Sequence, residues 1–169
     1  MKLYQNIFLF VVMFFTITGG FAMELSIPNF VNGGMLPAKY TGDGAGVSPA
    51  LNWKDVPKTA KSLVIICEDP DAPAGMYTHW IVYNLPLNAT GLIEGVKHLP
   101  AGAQFGLNTA REANYYPPSP PSGEHRYYFR WYALDVTLDL HKPTRDEILK
   151  AMHGHVLETA SLLTKYKKQ

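Results

Sequence analysis

The chain has 169 residues, 47% of them hydrophobic, and a formal net charge of +1. That composition supplies apolar surface for one core and hardly for two. It lacks the basic excess that marks a nucleic-acid or anionic-membrane surface. The single cysteine, Cys67, excludes an intramolecular disulfide, so packing must carry the stability of the fold.

Residues 1 to 22 read as a secretory leader. Lys2 precedes an apolar run from Ile7 to Ile17, and Thr18-Gly19-Gly20-Phe21-Ala22 places small residues at positions −3 and −1 of a signal-peptidase site. The rival reading is a membrane anchor, but the unbroken run is about half the ~20 residues a spanning helix needs. The residue directly after Ala22 is Met23 and not Cys, which argues against a lipid anchor. The expected product is a domain over 23–169, periplasmic or secreted, without a transmembrane anchor after cleavage. Cleavage removes Lys2 and no acid, taking Lys plus Arg from 15 to 14 against 14 Asp plus Glu. Any attraction for an anion must then be local.

Beyond the leader, β-prone runs alternate with Gly, Pro, Asn and Asp. Ser62 to Glu68 is a continuous apolar run of strand length, His79 to Asn84 is a second, closed by Leu85-Pro86, and a third runs from Arg126 through Leu134. The spacers Lys39 to Pro49 and Leu87 to Asn114 are long for hairpins, which suggests loops gathered at the rim of a sandwich. Near the end, Thr144 stands three residues before Glu147 in a capping-box pattern. Leu149, Met152, Val156, Ala160 and Leu163 follow at helical spacing and predict a long C-terminal helix, with His153 and His155 on different faces of it.

Polar groups concentrate at strand ends. In an extended strand residues two apart share a face, so His125 and Tyr127 should stand together with Arg126 turned away. In Asp69-Pro70-Asp71-Ala72-Pro73 the prolines restrict the backbone, and an extended course would hold both carboxylates on one side. His79 opens the next strand a few residues later. Singly, each has an ordinary structural explanation, because Asp-Pro initiates turns, a strand-end His bonds a carbonyl, and a strand Tyr packs in a core.

Together they form an ordered series. Asp69 to Pro73, then Tyr77-Thr78-His79-Trp80, then Pro118 to Tyr127 (PSPPSGEHRY) resemble the signatures of the phosphatidylethanolamine-binding protein family, in its bacterial, Raf kinase inhibitor-like branch. Tyr40 to Gly44, Ser48 to Trp53 and Gly154-His155-Val156-Leu157 extend the resemblance over the whole chain after the leader. It implies a mainly β fold, a sandwich of antiparallel sheets with a C-terminal α-helix. It also implies a pocket for a phosphate-like anion such as phosphate or phosphoethanolamine, without a cofactor. Carried over residue by residue, the pocket comprises Asp69, Asp71, His79, His125 and Tyr127, with Pro73 and Pro121 as walls. The carboxylates are expected to orient the imidazoles and raise their pKa above about 6.5.

The chain also departs from the family pattern. Tyr115-Tyr116-Pro117-Pro118 stands where the bacterial motif reads Tyr-Gly-Gly-Pro, so a permissive glycine becomes a residue with fixed φ and no N–H. Gly42 and Gly46 replace the usual Cys and Asn of an upstream loop, a change expected to leave the pocket untouched. Three other functions compete with anion binding. A hydrolase could use His and Asp as base and orienter, but there is no GxSxG elbow. A metal site from His79, His125 and Asp69 is chemically conceivable but lacks paired His spacing. A protein target, a protease or kinase inhibited through the pocket rim or a reader of the PxxP stretch, is the third. The expectation is a non-enzymatic binding protein.

Overall fold

The computed structural model describes residues 22–168. The leader, apart from Ala22, lies outside the described residues. Among the described residues the strands are β1 (Glu24–Ser26), β2 (Leu51–Lys54), β3 (Ser62–Asp69), β4 (Tyr77–Leu85), β5 (Gly91–Leu92), β6 (Gln104–Phe105), β7 (Glu124–Leu134) and β8 (Val156–Lys167), with one α-helix, α1 (Arg145–Met152), before the last and a 3-10 turn at Ala38–Tyr40. They form two antiparallel sheets, in the orders β1-β2-β5 and β6-β4-β3-β7-β8.

The apolar run Ser62 to Glu68 becomes the central strand of the larger sheet, and every residue of β3 is buried because both faces are covered. Leu63, Ile65 and Cys67 face the smaller sheet, where they meet Leu25, Leu51 and Trp53; Trp53 and Trp131 pack edge to face with centroids 4.3 Å apart. Val64 and Ile66 face the other way, under Ile148 and Met152 of α1. Glu68, also on that outer face, accepts hydrogen bonds from the guanidinium groups of Arg130 and Arg145, which ties α1 to the sheet.

The C-terminal helix is shorter than its spacing predicts. The capping box of Thr144 and Glu147 forms, but α1 ends at Met152, and Gly154 with φ +81° makes the left-handed turn that stops it. From Val156 the chain is a twelve-residue strand, with Leu162, Thr164 and Tyr166 buried at a period of two. The physical reason is long-range. An eleven-residue β7 offers its edge, and β8 pairs it from Glu124↔Lys167 to Leu134↔Val156, which satisfies both backbones. His153 and His155 accordingly lie in the turn, where His155 Nδ1 is 2.8 Å from an Asp135 carboxylate oxygen.

The pairing of β3 with β4 is interrupted by a β-bulge. Cys67 pairs with Trp80 and Glu68 with Thr78, so His79 is the extra residue on its strand. Without that insertion strand alternation would put His79 on the face opposite Trp80; a bulge re-aims a side chain in this way.

Candidate functional site

At the ends of β3, β4 and β7 the sandwich opens into a cavity of about 440 Å³. Asp69, Pro73, His79, Pro121, His125 and Tyr127 all line it, joined by Tyr77, Tyr116, Pro117, Ser119 and Pro120. Asp71 does not line it. Asp69 Oδ1 accepts the Asp71 N–H at 2.8 Å, a side-chain turn that bends the chain and breaks the extended alternation. Asp71 is thereby delivered to Arg126, whose backbone N–H, Nε–H and Nη2–H all donate to its carboxylate at 2.7–2.9 Å. The Arg126 guanidinium holds the Asp71 carboxyl at about 2, well below the usual range. Its role is to fasten the wall carrying Pro73 to the outer side of β7.

Asp69 stays inside. Its Oδ2 accepts the Nδ1–H of His125 at 2.8 Å, with both side chains over nine-tenths buried. His125 and Tyr127 share the inner face of β7, their rings stacked 6.4 Å apart, and Arg126 points out, as strand alternation requires.

His79 is held from the other wall. Its Nδ1 lies 2.8 Å from the carbonyl oxygen of Tyr116, and its own carbonyl accepts the Tyr116 N–H at 2.8 Å. A carbonyl can only accept, so Nδ1 carries the proton and Nε2 is the nitrogen open to a ligand, as an acceptor in the neutral ring and a donor only in the cation. Burial lowers the His79 pKa below its ordinary 6.5, with the Tyr116 carbonyl and the Asp69 charge opposing in part. This reverses the expected rise: desolvation outweighs the nearby carboxylate.

The Tyr127 hydroxyl is buried with no hydrogen-bond partner among the described residues. Burial, reinforced by the Asp69 charge, pushes its pKa up, so it stays a neutral donor. Tyr77 and Tyr116 complete an aromatic wall, with the Tyr77 ring 4.8 Å from His79 and 5.8 Å from Tyr116. Among the described residues that line the cavity there is no Lys or Arg. Positive charge inside it must come from an imidazole.

The sequence singled out neither Tyr77 nor Tyr116 as a site residue. The signal for Tyr77 was its place two residues before His79, but Tyr116 is brought in by a backbone clamp that leaves no local trace. The upstream glycines also matter more than expected. A side chain at Gly42 would meet Ser119, and one at Gly46 would lie 3.3 Å from the Pro117 ring, so this loop packs directly on the proline rim.

A two-sheet β fold with a buried His and Tyr cavity at the strand ends defines a small β-sandwich ligand-binding protein. A family model described as phosphatidylethanolamine-binding protein matches residues 26–167, and the chain belongs to that family. A Chlamydia trachomatis protein is 47% identical over 152 residues, spanning 86% of this chain and 99% of its own. One from Methanothermobacter thermautotrophicus is 46% identical over 150 residues, again 86% and 99%. Neither name states an activity. Among solved structures, a phosphatidylethanolamine-binding protein homologue from Chlamydia trachomatis superposes with a TM-score of 0.83 at 47% identity, covering 88% of this chain and 99% of that one. The Escherichia coli protein YbcL, described as a new member of the mammalian family, gives 0.81 at 26% identity, covering 87% and 99%.

Proposed function

We propose that this is an exported, non-enzymatic protein whose cavity binds a small phosphate-bearing ligand, either free phosphate or a phospholipid headgroup. The observation that carries the reading is the Tyr127 hydroxyl, a buried donor without a partner among the described residues, in a cavity that also holds His79 and His125 with their Nδ1 atoms already engaged. A buried polar group left open costs roughly 1–3 kcal/mol, which a ligand oxygen would recover. Two Nε2 atoms and one hydroxyl suit the several oxygens of a tetrahedral anion. Membership of a family described as phosphatidylethanolamine-binding supports the same chemistry.

The non-enzymatic part rests on the absence of an activated nucleophile. No Ser, Thr or Cys side chain is hydrogen-bonded to the Asp69–His125 pair among the described residues, and burial raises the Cys67 thiol well above its ordinary range. Export rests on the leader motif, and residues 1 to 22 fused to a reporter should carry it out of the cytoplasm.

The binding test is a titration of inorganic phosphate and of phosphoethanolamine, followed by NMR of the imidazole resonances. Saturable shifts of His79 and His125 are expected with both ligands. Saturable binding that leaves both rings unshifted would place the ligand elsewhere.

A further inference from the structure

We infer that Glu158 is the seat of a new amino terminus, created when the Ala22–Met23 bond is hydrolysed. The backbone nitrogen of Met23 lies 2.6 Å from Glu158 Oε1. A carboxylate accepts a short hydrogen bond from a backbone amide and from an ammonium alike, so the same seat can hold this nitrogen before and after its bond to Ala22 is cut. Glu158 is half-buried on β8 opposite Ala133, and it has no Lys or Arg partner within ion-pair distance among the described residues. A lone carboxylate, partly desolvated and aimed at one backbone nitrogen, lacks the positive charge that would balance it.

Among the described residues, burial sets in at the same bond. Ala22 is exposed, while Met23 is 5% exposed and belongs to the core shared with Leu25 and Trp53. The family model begins its match at residue 26, three residues beyond Met23. Hydrolysis by an endopeptidase adds one water across the Ala22–Met23 amide: the C–N bond breaks, Ala22 leaves as a carboxylate, and the Met23 nitrogen becomes an ammonium. The side chain of Met23 inserts in the core and its nitrogen stays beside Glu158, so a neutral hydrogen bond becomes an ion pair without rearrangement. The leader would thus leave behind a terminus tied down on both its main chain and its side chain.

This inference rests on the export reading, and its test separates the two. The core lies within residues 23–166, and the Chlamydia crystal chain, covered to 99% by 88% of this one, has the same fold, so a protein beginning at Met23 is a folded unit. Such a protein, with a free amine or Nα-acetylated, is compared with the corresponding pair carrying Glu158→Gln. Acetylation keeps the N–H and removes only the charge, and Gln keeps an acceptor. The free amine should melt about 2–4 °C above the acetylated form, and Glu158→Gln should close that gap. No gap, or a gap of the same size in Glu158→Gln, would overturn the seat whatever the fate of the leader. Intact mass of the exported full-length chain should begin at Met23; another first residue would overturn the processing site while leaving the melting comparison to stand by itself.

Discussion

Anion binding in this cavity should require a proton, and the pH dependence can be worked out from two contacts. His79 Nδ1–H is committed to the Tyr116 carbonyl, so a neutral His79 offers an anion only the lone pair of Nε2, which repels it. Burial lowers the pKa of this ring, so in the empty protein it is neutral at pH 7. Binding a dianion must then bring in one proton for each imidazole recruited. Above the imidazole pKa, each such proton weakens affinity tenfold per pH unit, about 1.4 kcal/mol. Phosphate titrates near neutrality and could carry the proton itself, so sulfate, which keeps its charge between pH 5 and 8, is the discriminating probe. Calorimetry in two buffers of different ionisation heat should show proton uptake with sulfate and an affinity rising as pH falls. His79→Ala should flatten that slope, and Tyr127→Phe should lower affinity about fivefold, the worth of one neutral hydrogen bond of about 1 kcal/mol, without altering it. Sulfate affinity that is flat from pH 5 to 8 would refute a protonated imidazole as donor. Binding of phosphate alone would assign the proton to the ligand.

Without ligand the same histidine should work against the fold in acid. Its unfolded imidazole takes a proton near 6.5 and its folded one only lower, so its contribution is complete above about pH 6.5 and is lost as pH falls below it; urea midpoints should drop from pH 7 to 5, less so in His79→Ala. Glu68→Gln should cost about 3 kcal/mol in urea unfolding, because a carboxylate 2% exposed that receives two guanidinium groups is replaced by a neutral amide. Asp71→Asn should lower the melting temperature slightly and leave sulfate affinity nearly intact, since Asp71 faces Arg126 and not the cavity; its contribution to stability should fade only as pH falls from about 4 towards 2. Gly46→Ala, at φ +65° and against Pro117, should destabilise by about 1 kcal/mol and weaken ligand binding by displacing the rim, as read by melting and calorimetry.

The strands that frame the cavity were legible because their signals are local. β3 and β7 are long apolar or alternating runs, and both were expected within two residues of their observed bounds. The two-residue strands β5 and β6 are too short to carry a period. β8 failed for a different reason. Leu149, Met152, Val156, Ala160 and Leu163 fit a helical stripe, and Leu162, Thr164 and Tyr166 fit a strand, so the segment is ambiguous by pattern. What decides it is the open edge of β7, some thirty residues earlier in the chain, together with the turn at Gly154.

The site divides along the same line. His125 and Tyr127 could be placed side by side from alternation alone, and they are. The same rule misplaced Asp71, because an Asp side chain that caps its own turn abolishes the extended backbone on which alternation depends. It would also have misplaced His79, which reaches the cavity only through a bulge. The error about protonation followed from treating the carboxylates as near neighbours of both imidazoles. Asp69 contacts His125, Asp71 is neutralised by Arg126, and the His79 ring has a carbonyl as its hydrogen-bonded partner among the described residues. A family motif therefore names the residues around such a cavity but not its charge. Here the charge turns on whether an imidazole held by a neutral carbonyl takes up a proton when the anion arrives.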